Sequence, residues 1–169
     1  MLQWGCQENL YGKVVLITEG SRGLGLTREF AREGCRLVLA ARDAQELARA
    51  QQDLRQCGAE ALAVSGEVTD QEQVRSIVGQ ATQRFGRVDI VVNNAGIIQV
   101  GPMSAITMED FVNALDVMFW GTLYPTLAVL PQMPARRSGR VAHITSIGGM
   151  VRVHHLLPYT CAKCGPSAL

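Results

Sequence analysis

Little in this 169-residue sequence points to a membrane, a nucleic acid or a metal. No apolar run is long enough for a bilayer span. The most apolar window, "VMFWGTLYPTLAVL" at 117–130, is short and is interrupted by Pro125, so it reads as a buried helix. Charge of one sign is missing too. Lys and Arg number 16 against 15 Asp and Glu, a net charge of +1, which gives no electrostatic reason to expect nucleic acid or an anionic membrane as partner. The first residues, "MLQWGCQENLYGK", have neither a basic start nor a long apolar core, so no signal peptide is read there and a cytoplasmic setting is expected. Cysteines are few, odd in number and scattered, at 6, 35, 57, 161 and 164, as reduced thiols would be. Cys161 and Cys164 form "CAKC", but no second pair accompanies them and no metal site is expected. Repeats and low-complexity segments are absent, and "PARRSGR" at 134–140 reads as a polar loop rather than a boundary. At 47% hydrophobic and 18% charged, residues 1–169 form a single globular domain with a sizeable core.

What is present is an alternation of short apolar runs with longer helical patterns. Residues 13–18, 35–41, 60–66, 88–94 and 140–146 read as strands, most of them apolar on both alternations, as strands covered on both faces are. Between them, Asp43 with Glu46 and Thr69 with Glu72 have the spacing of a helix N-cap and its reciprocal partner. Val74, Ile77, Val78, Ala81 and Phe85 keep one helical face apolar. Gly34, Gly58 and Gly86 each follow a helical run, where a left-handed residue ends a helix. Thr107 caps a long fourth helix to about Met133, kinked at Pro125. The pattern predicts an α/β fold with a doubly wound parallel sheet, whose ligands sit at the carboxyl ends of the strands.

The first strand runs into "TEGSRGLG", residues 18–25. A glycine-rich turn between strand and helix lets the backbone approach a pyrophosphate and offers it the free N–H groups of a helix N-terminus. Three motifs then occur in order. Thr18, Glu19, Gly23 and Gly25 nearly fit TGxxxGxG; Asn93, Asn94, Ala95 and Gly96 fit NNAG; Ser146 precedes Tyr159 and Lys163, which fit YxxxK. In these motifs, from Lys13 to about Lys163, the sequence resembles the short-chain dehydrogenase/reductase family.

The resemblance implies a Rossmann-type fold, a nicotinamide cofactor and a small-molecule carbonyl or alcohol substrate. It assigns catalysis to Ser146, Tyr159 and Lys163. Cofactor contacts fall to Thr18, Ser21, Arg22, Gly23, Leu24, Gly25, Arg42, Glu67, Val68, Asn94, Ala95 and Gly96, with Tyr159 and Lys163 again. Asn93 would support the central strands. The residue types suit those roles. Tyr159 and Lys163, four apart, share a helix face, and an ammonium favours the phenolate of a nearby tyrosine. Ser146 can donate to the same substrate oxygen. An acidic residue at the end of the second strand would bind the ribose 2′-hydroxyl of NAD, whereas a basic one accommodates the 2′-phosphate of NADP. Here Ala41 takes the acidic place, Arg42 follows, and Arg22 lies in the glycine turn, so NADP is expected over NAD. His143 reads as structural, and His154 and His155 as neighbours of the substrate mouth.

Four departures from the family pattern stand out. Glu19 replaces the first glycine of the turn, bringing a Cβ and a carboxylate near the phosphates, with Gly20 beside it out of register. Glu67 stands where the family often has Asp. Met118 replaces the Asn of an NxxG motif and has no equivalent polar group for a proton relay. The sequence stops six residues after Lys163, where family members continue for roughly another 80 residues. The expectation is a fold lacking the family's last strands, with the fifth strand an apolar edge prone to pairing with another chain, including a second copy. Two functions are therefore expected as alternatives: an NADP(H)-dependent oxidoreductase, or a catalytically inactive, truncated relative that keeps at most cofactor or partner binding.

Overall fold

The computed structural model describes residues 9–21, 23–151 and 153–168, the side chains of Leu24 and Ala168 excepted. Arg22, which contributes to the NADP expectation, lies outside them. Five parallel strands form one sheet: β1 (Val14–Thr18), β2 (Arg36–Ala41), β3 (Ala61–Ser65), β4 (Ile90–Asn93) and β5 (Arg140–His143). Their order is β3-β2-β1-β4-β5, so β1 lies at the centre, with Leu16 level with both Val38 and Val91. The strands are shorter than the apolar runs that announce them; β4 and β5 end at Asn93 and His143, because the chain turns away from the ladder there.

Successive side chains of a strand face opposite ways, and both faces here are apolar. Val14, Leu16, Val38 and Val91 pack under α3 (Gln71–Phe85) and beneath Val129 and Met133. Val15, Ile17, Leu37, Leu39 and Val92 pack under α1 (Leu24–Arg32) and α2 (Ala44–Gln56). Complete burial of Leu16 or Ile17 contributes about 1.5–3 kcal/mol. This is the doubly wound arrangement expected from the sequence.

Most helix boundaries follow the expected signals. Asp43 caps α2 by accepting from the N–H groups of Gln45 (2.8 Å) and Glu46 (3.0 Å). Gly34, Gly58 and Gly86 have φ of +73°, +81° and +83°. The cap of α3 is Asp70, not Thr69: its carboxylate accepts from Glu72 N–H and Gln73 N–H, and a carboxylate also suits the positive end of the helix. Thr107 and Asp110 form the capping box of α4 (Met108–Leu115). That helix does not run on uniformly to a kink at Pro125. A π-helical turn, Asp116–Trp120, comes first, with Gly121 N–H donating to Asp116 C=O, followed by α5 (Gly121–Val129) and α6 (Gln132–Arg136). The wider turn directs both Val117 and Met118 inward. There they meet Ala162 of α7 (Leu157–Cys164), with Ile97 and Tyr159 at the margin. A two-turn helix is marginal alone, and this contact holds α7 in place.

Candidate functional site

The turns at the carboxyl ends of β1, β2, β4 and β5 converge on one cleft. Thr18 is the hub. Its buried hydroxyl oxygen accepts from the N–H groups of Asn94 (2.9 Å) and Ala95 (3.0 Å), while Asn94 Nδ2 donates to Thr18 C=O. These bonds fix the "NNAG" turn beside the glycine turn.

Within the glycine turn, Glu19 has φ of +51°, so the left-handed conformation falls on Glu19 itself and is not absorbed by Gly20. Gly20 is required for a different reason, since a Cβ there would come within 2.9 Å of a Leu39 methyl. Glu19 N–H donates to Ala40 C=O and its own carbonyl accepts from Gly23 N–H, which holds the turn in shape. Three observations suit it to an anion. Gly23 provides no side-chain cap to α1, which leaves first-turn N–H groups available. A Cβ at Gly25 would meet nothing within 4 Å, so the approach to the turn is open there. The Ser21 hydroxyl is buried without a hydrogen-bond partner. The turn thus fits the pyrophosphate of a dinucleotide.

Glu19, Arg42, Glu67, Val68, Gly96, Ile97 and Val117 line a common narrow cavity. Arg42 Nη1 lies 3.6 Å from Glu67 Oε2, and Ala41 leaves the end of β2 without a carboxylate. The sequence did not announce that Arg42 already faces an acidic partner.

Across the cleft, Ser146 lies three residues beyond β5, not at the strand's end, and caps a short 3₁₀ turn by accepting from Gly148 N–H at 3.1 Å. Gly148 separates it from Tyr159: a Cβ there would stand 3.4 Å from Ser146 Oγ and 3.2 Å from Tyr159 Cε1. One turn further along α7, Lys163 is almost buried and its Nζ donates to Ile144 C=O at 2.7 Å. Burial holds its ammonium below the usual lysine range. A Cβ on Gly96 would stand 3.7 Å from Lys163 Nζ and 4.0 Å from Met118 Cγ, so the "NNAG" turn, Lys163 and Met118 adjoin. The Met118 side chain is apolar and fully buried; its carbonyl is occupied by the Thr122 hydroxyl.

Asn93 Nδ2 donates to Thr126 Oγ1 (2.9 Å) and faces His143 Nδ1 (3.0 Å). A ring nitrogen facing an NH2 group accepts, and burial favours the same neutral imidazole. His154 and His155 are exposed, with ring centroids 6.5 Å apart. Gly101 N–H donates to His155 C=O, tying the loop after β4 to the loop after β5, a bond no sequence signal indicated. Among the described residues no cluster could hold a metal ion, and no helix is long and apolar enough to cross a membrane.

Solved structures share this fold. An actinorhodin polyketide ketoreductase crystallised with NADPH superposes with a TM-score of 0.87 at 30% identity, over 91% of this chain and 60% of its own. A short chain dehydrogenase/reductase from Burkholderia phymatum in complex with NAD gives 0.90 at 26%, over 95% and 58%. In sequence, 11-beta-hydroxysteroid dehydrogenase A of Sesamum indicum is 34% identical over 95% of this chain and 47% of its own length. A dehydrogenase/reductase SDR family protein 7-like of Anopheles gambiae is 34% identical over 92% and 51%. The chain spans about half the length of these two curated relatives. The family model for short chain dehydrogenase matches residues 13–169, which takes in every strand of the sheet and all three motifs, and the chain therefore belongs to the short-chain dehydrogenase/reductase family.

Proposed function

We propose that this chain acts as an NADP(H)-dependent oxidoreductase on a carbonyl or alcohol substrate. The observation that carries the reading is that Ser146 Oγ and the Tyr159 ring both flank Gly148, with buried Lys163 one helical turn along α7. Thr18, Ser21, Gly23, Gly25, Asn94, Ala95 and Gly96 would hold the cofactor's phosphates and ribose side, and Val68 with Arg42 and Glu67 its adenosine end. Ala41 and Arg42 favour the 2′-phosphorylated form, because Ala41 puts no carboxylate at the end of β2 and a phosphate can compete with Glu67 for the Arg42 guanidinium.

When bound, the nicotinamide supplies or takes up the hydride. The residues handle the oxygen. Ser146 donates a hydrogen bond to it. Tyr159 passes its phenolic proton to the oxygen in reduction and takes a proton back in oxidation. Lys163, while charged, favours the phenolate left behind. Its burial makes that charge easier to lose as pH rises, so the alkaline limit of activity falls below the usual lysine range. Glu19 and Met118 weaken the cofactor turn and remove a side-chain relay. They leave these three residues in place, and the relatives do not favour the inactive alternative. A cytoplasmic setting and a small-molecule partner, without nucleic acid, accompany this reading.

The test is consumption of NADPH and of NADH by the purified chain against a panel of carbonyl compounds. NADPH should be consumed faster at equal concentration, and Tyr159→Phe should lower turnover by about 10²–10⁴-fold with unchanged thermal unfolding. No hydride transfer with either cofactor overturns the reading; faster NADH oxidation overturns its cofactor part alone.

A further inference from the structure

Two loops of unusual composition adjoin the Ser146–Tyr159 centre, one of them carrying Ser146 itself. Residues 97–106, "IIQVGPMSAI", contain no ionisable side chain. Residues 144–158, "ITSIGGMVRVHHLLP", contain no carboxylate, and their ionisable residues are Arg152, outside the described residues, and the two exposed histidines. The Gly101–His155 hydrogen bond joins the loops. Ile98, Val100 and Met103 on one and Ile147, Met150 and Val153 on the other are exposed, from 37% for Val153 to 80% for Met150. Gln99, the one amide on these loops, already donates its NH2 to Asp110 at 2.6 Å. Exposed apolar surface concentrated at a reacting centre marks a binding face, whereas scattered exposed residues need no such account.

Resting on the oxidoreductase reading, we propose that the substrate is a largely hydrocarbon ketone or secondary alcohol without a cationic group. Its oxygen would be held by Ser146 and Tyr159, and its carbon skeleton would lie on the apolar rim of the two joined loops. Against the exposed side chains of Ile98, Val100, Met103, Ile147, Met150 and Val153 a polyol or sugar would leave its hydroxyls without a partner, at the cost of their hydration. A cationic substrate would find no carboxylate on either loop.

The experiment is a homologous series of uncharged methyl ketones of increasing chain length, with a ketose and a cationic ketone of matched size as comparators, measured with NADPH. Values of kcat/KM should rise about fourfold for each added methylene that reaches the rim, up to a plateau, and exceed those of both comparators. Met150→Asp and Val100→Asp, both at exposed positions, should flatten the series. Leu127→Asp, which alters exposed apolar surface on α5, should not. A flat series, preference for the ketose or the cationic ketone, or equal flattening by Leu127→Asp overturns the substrate assignment while leaving the oxidoreductase reading intact. If no carbonyl compound turns over, the oxidoreductase reading fails, and equilibrium dialysis of the longest ketone decides the rim separately. Binding lost in Met150→Asp supports an apolar ligand site; binding absent from the unmodified chain overturns it.

Discussion

The cleft has two sides, and they depart from their family pattern to different degrees. On the β4–β5 side, the "NNAG" turn is clamped to Thr18, Lys163 is buried behind it, and Ser146 and Tyr159 both flank Gly148. On the β1 side, a glutamate occupies a left-handed position in the glycine turn and shares a cavity with Arg42 and Glu67. The first side depends on particular side chains, of which Thr18 and Lys163 are each held by backbone partners. The second depends mainly on backbone N–H groups, so one wrong side chain alters its charge and strain without changing its shape. A main-chain binding turn can therefore retain its geometry while its affinity falls.

Restoring the turn sharpens that contrast most. At an effective dielectric near 20, a carboxylate within about 6 Å of a phosphate opposes it by roughly 1–3 kcal/mol. The left-handed conformation of a non-glycine residue costs about 1–2 kcal/mol more. Glu19→Gly should tighten NADPH by about tenfold to hundredfold and raise the melting temperature, whereas Glu19→Gln should recover only the charge part and only at low salt. Calorimetric titration of the three proteins at two salt concentrations distinguishes these outcomes. Equal affinities throughout would show that Glu19 faces away from the phosphates.

A smaller effect is expected at the clamp. Thr18→Val keeps the shape but leaves two N–H groups without their acceptor, which should lower unfolding stability by about 1–2 kcal/mol. Thr18→Ser should retain most of it. Denaturant unfolding checks both, and a Val variant as stable as the parent would mean that the two sides are held together by the sheet alone.

The smallest effect concerns His143. Its folded-state pKa is lowered by burial from the ordinary 6.5. As pH falls through that ordinary value, the unfolded chain takes up the proton before the folded one does. The contribution is therefore fully present above 6.5 and is lost below it. His143→Asn should flatten this part of the pH–stability curve, as thermal unfolding on either side of pH 6.5 would register. An unchanged curve would assign the acid sensitivity elsewhere.

Strand alternation, the three capping glycines and the Thr107 cap were legible because each is a local signal with a local cause. The capping error at Thr69 arose because two good capping residues are adjacent, and only the backbone course selects Asp70. The π-helical turn was hidden because its cause is distributed. Pro125 has no N–H to give, the Thr122 and Thr126 hydroxyls bond back to carbonyls four residues earlier, and Gly121 admits Val68 where a Cβ would stand 2.8 Å from a methyl. At the site, the motif spacing identified which residues meet. It could not reveal the positive φ of Glu19, the pairing of Arg42 with Glu67, or the bond between the two loops, since those depend on where distant segments pass.

The Thr18 hydroxyl also sets an order of events in synthesis. Its two donors lie 76 and 77 residues downstream. A growing chain can pair β1 with β2 soon after both leave the ribosome, because little chain separates them. The other edge of β1 must wait for β4, and closing so long a loop is slow compared with local helix formation. Until Asn94 and Ala95 arrive, the glycine turn lacks its neighbour and the cleft has one wall. A ligand that recognises only the finished cleft stabilises only chains that have passed this point. Nascent chains before it depend on the β1–β2–β3 half of the sheet alone.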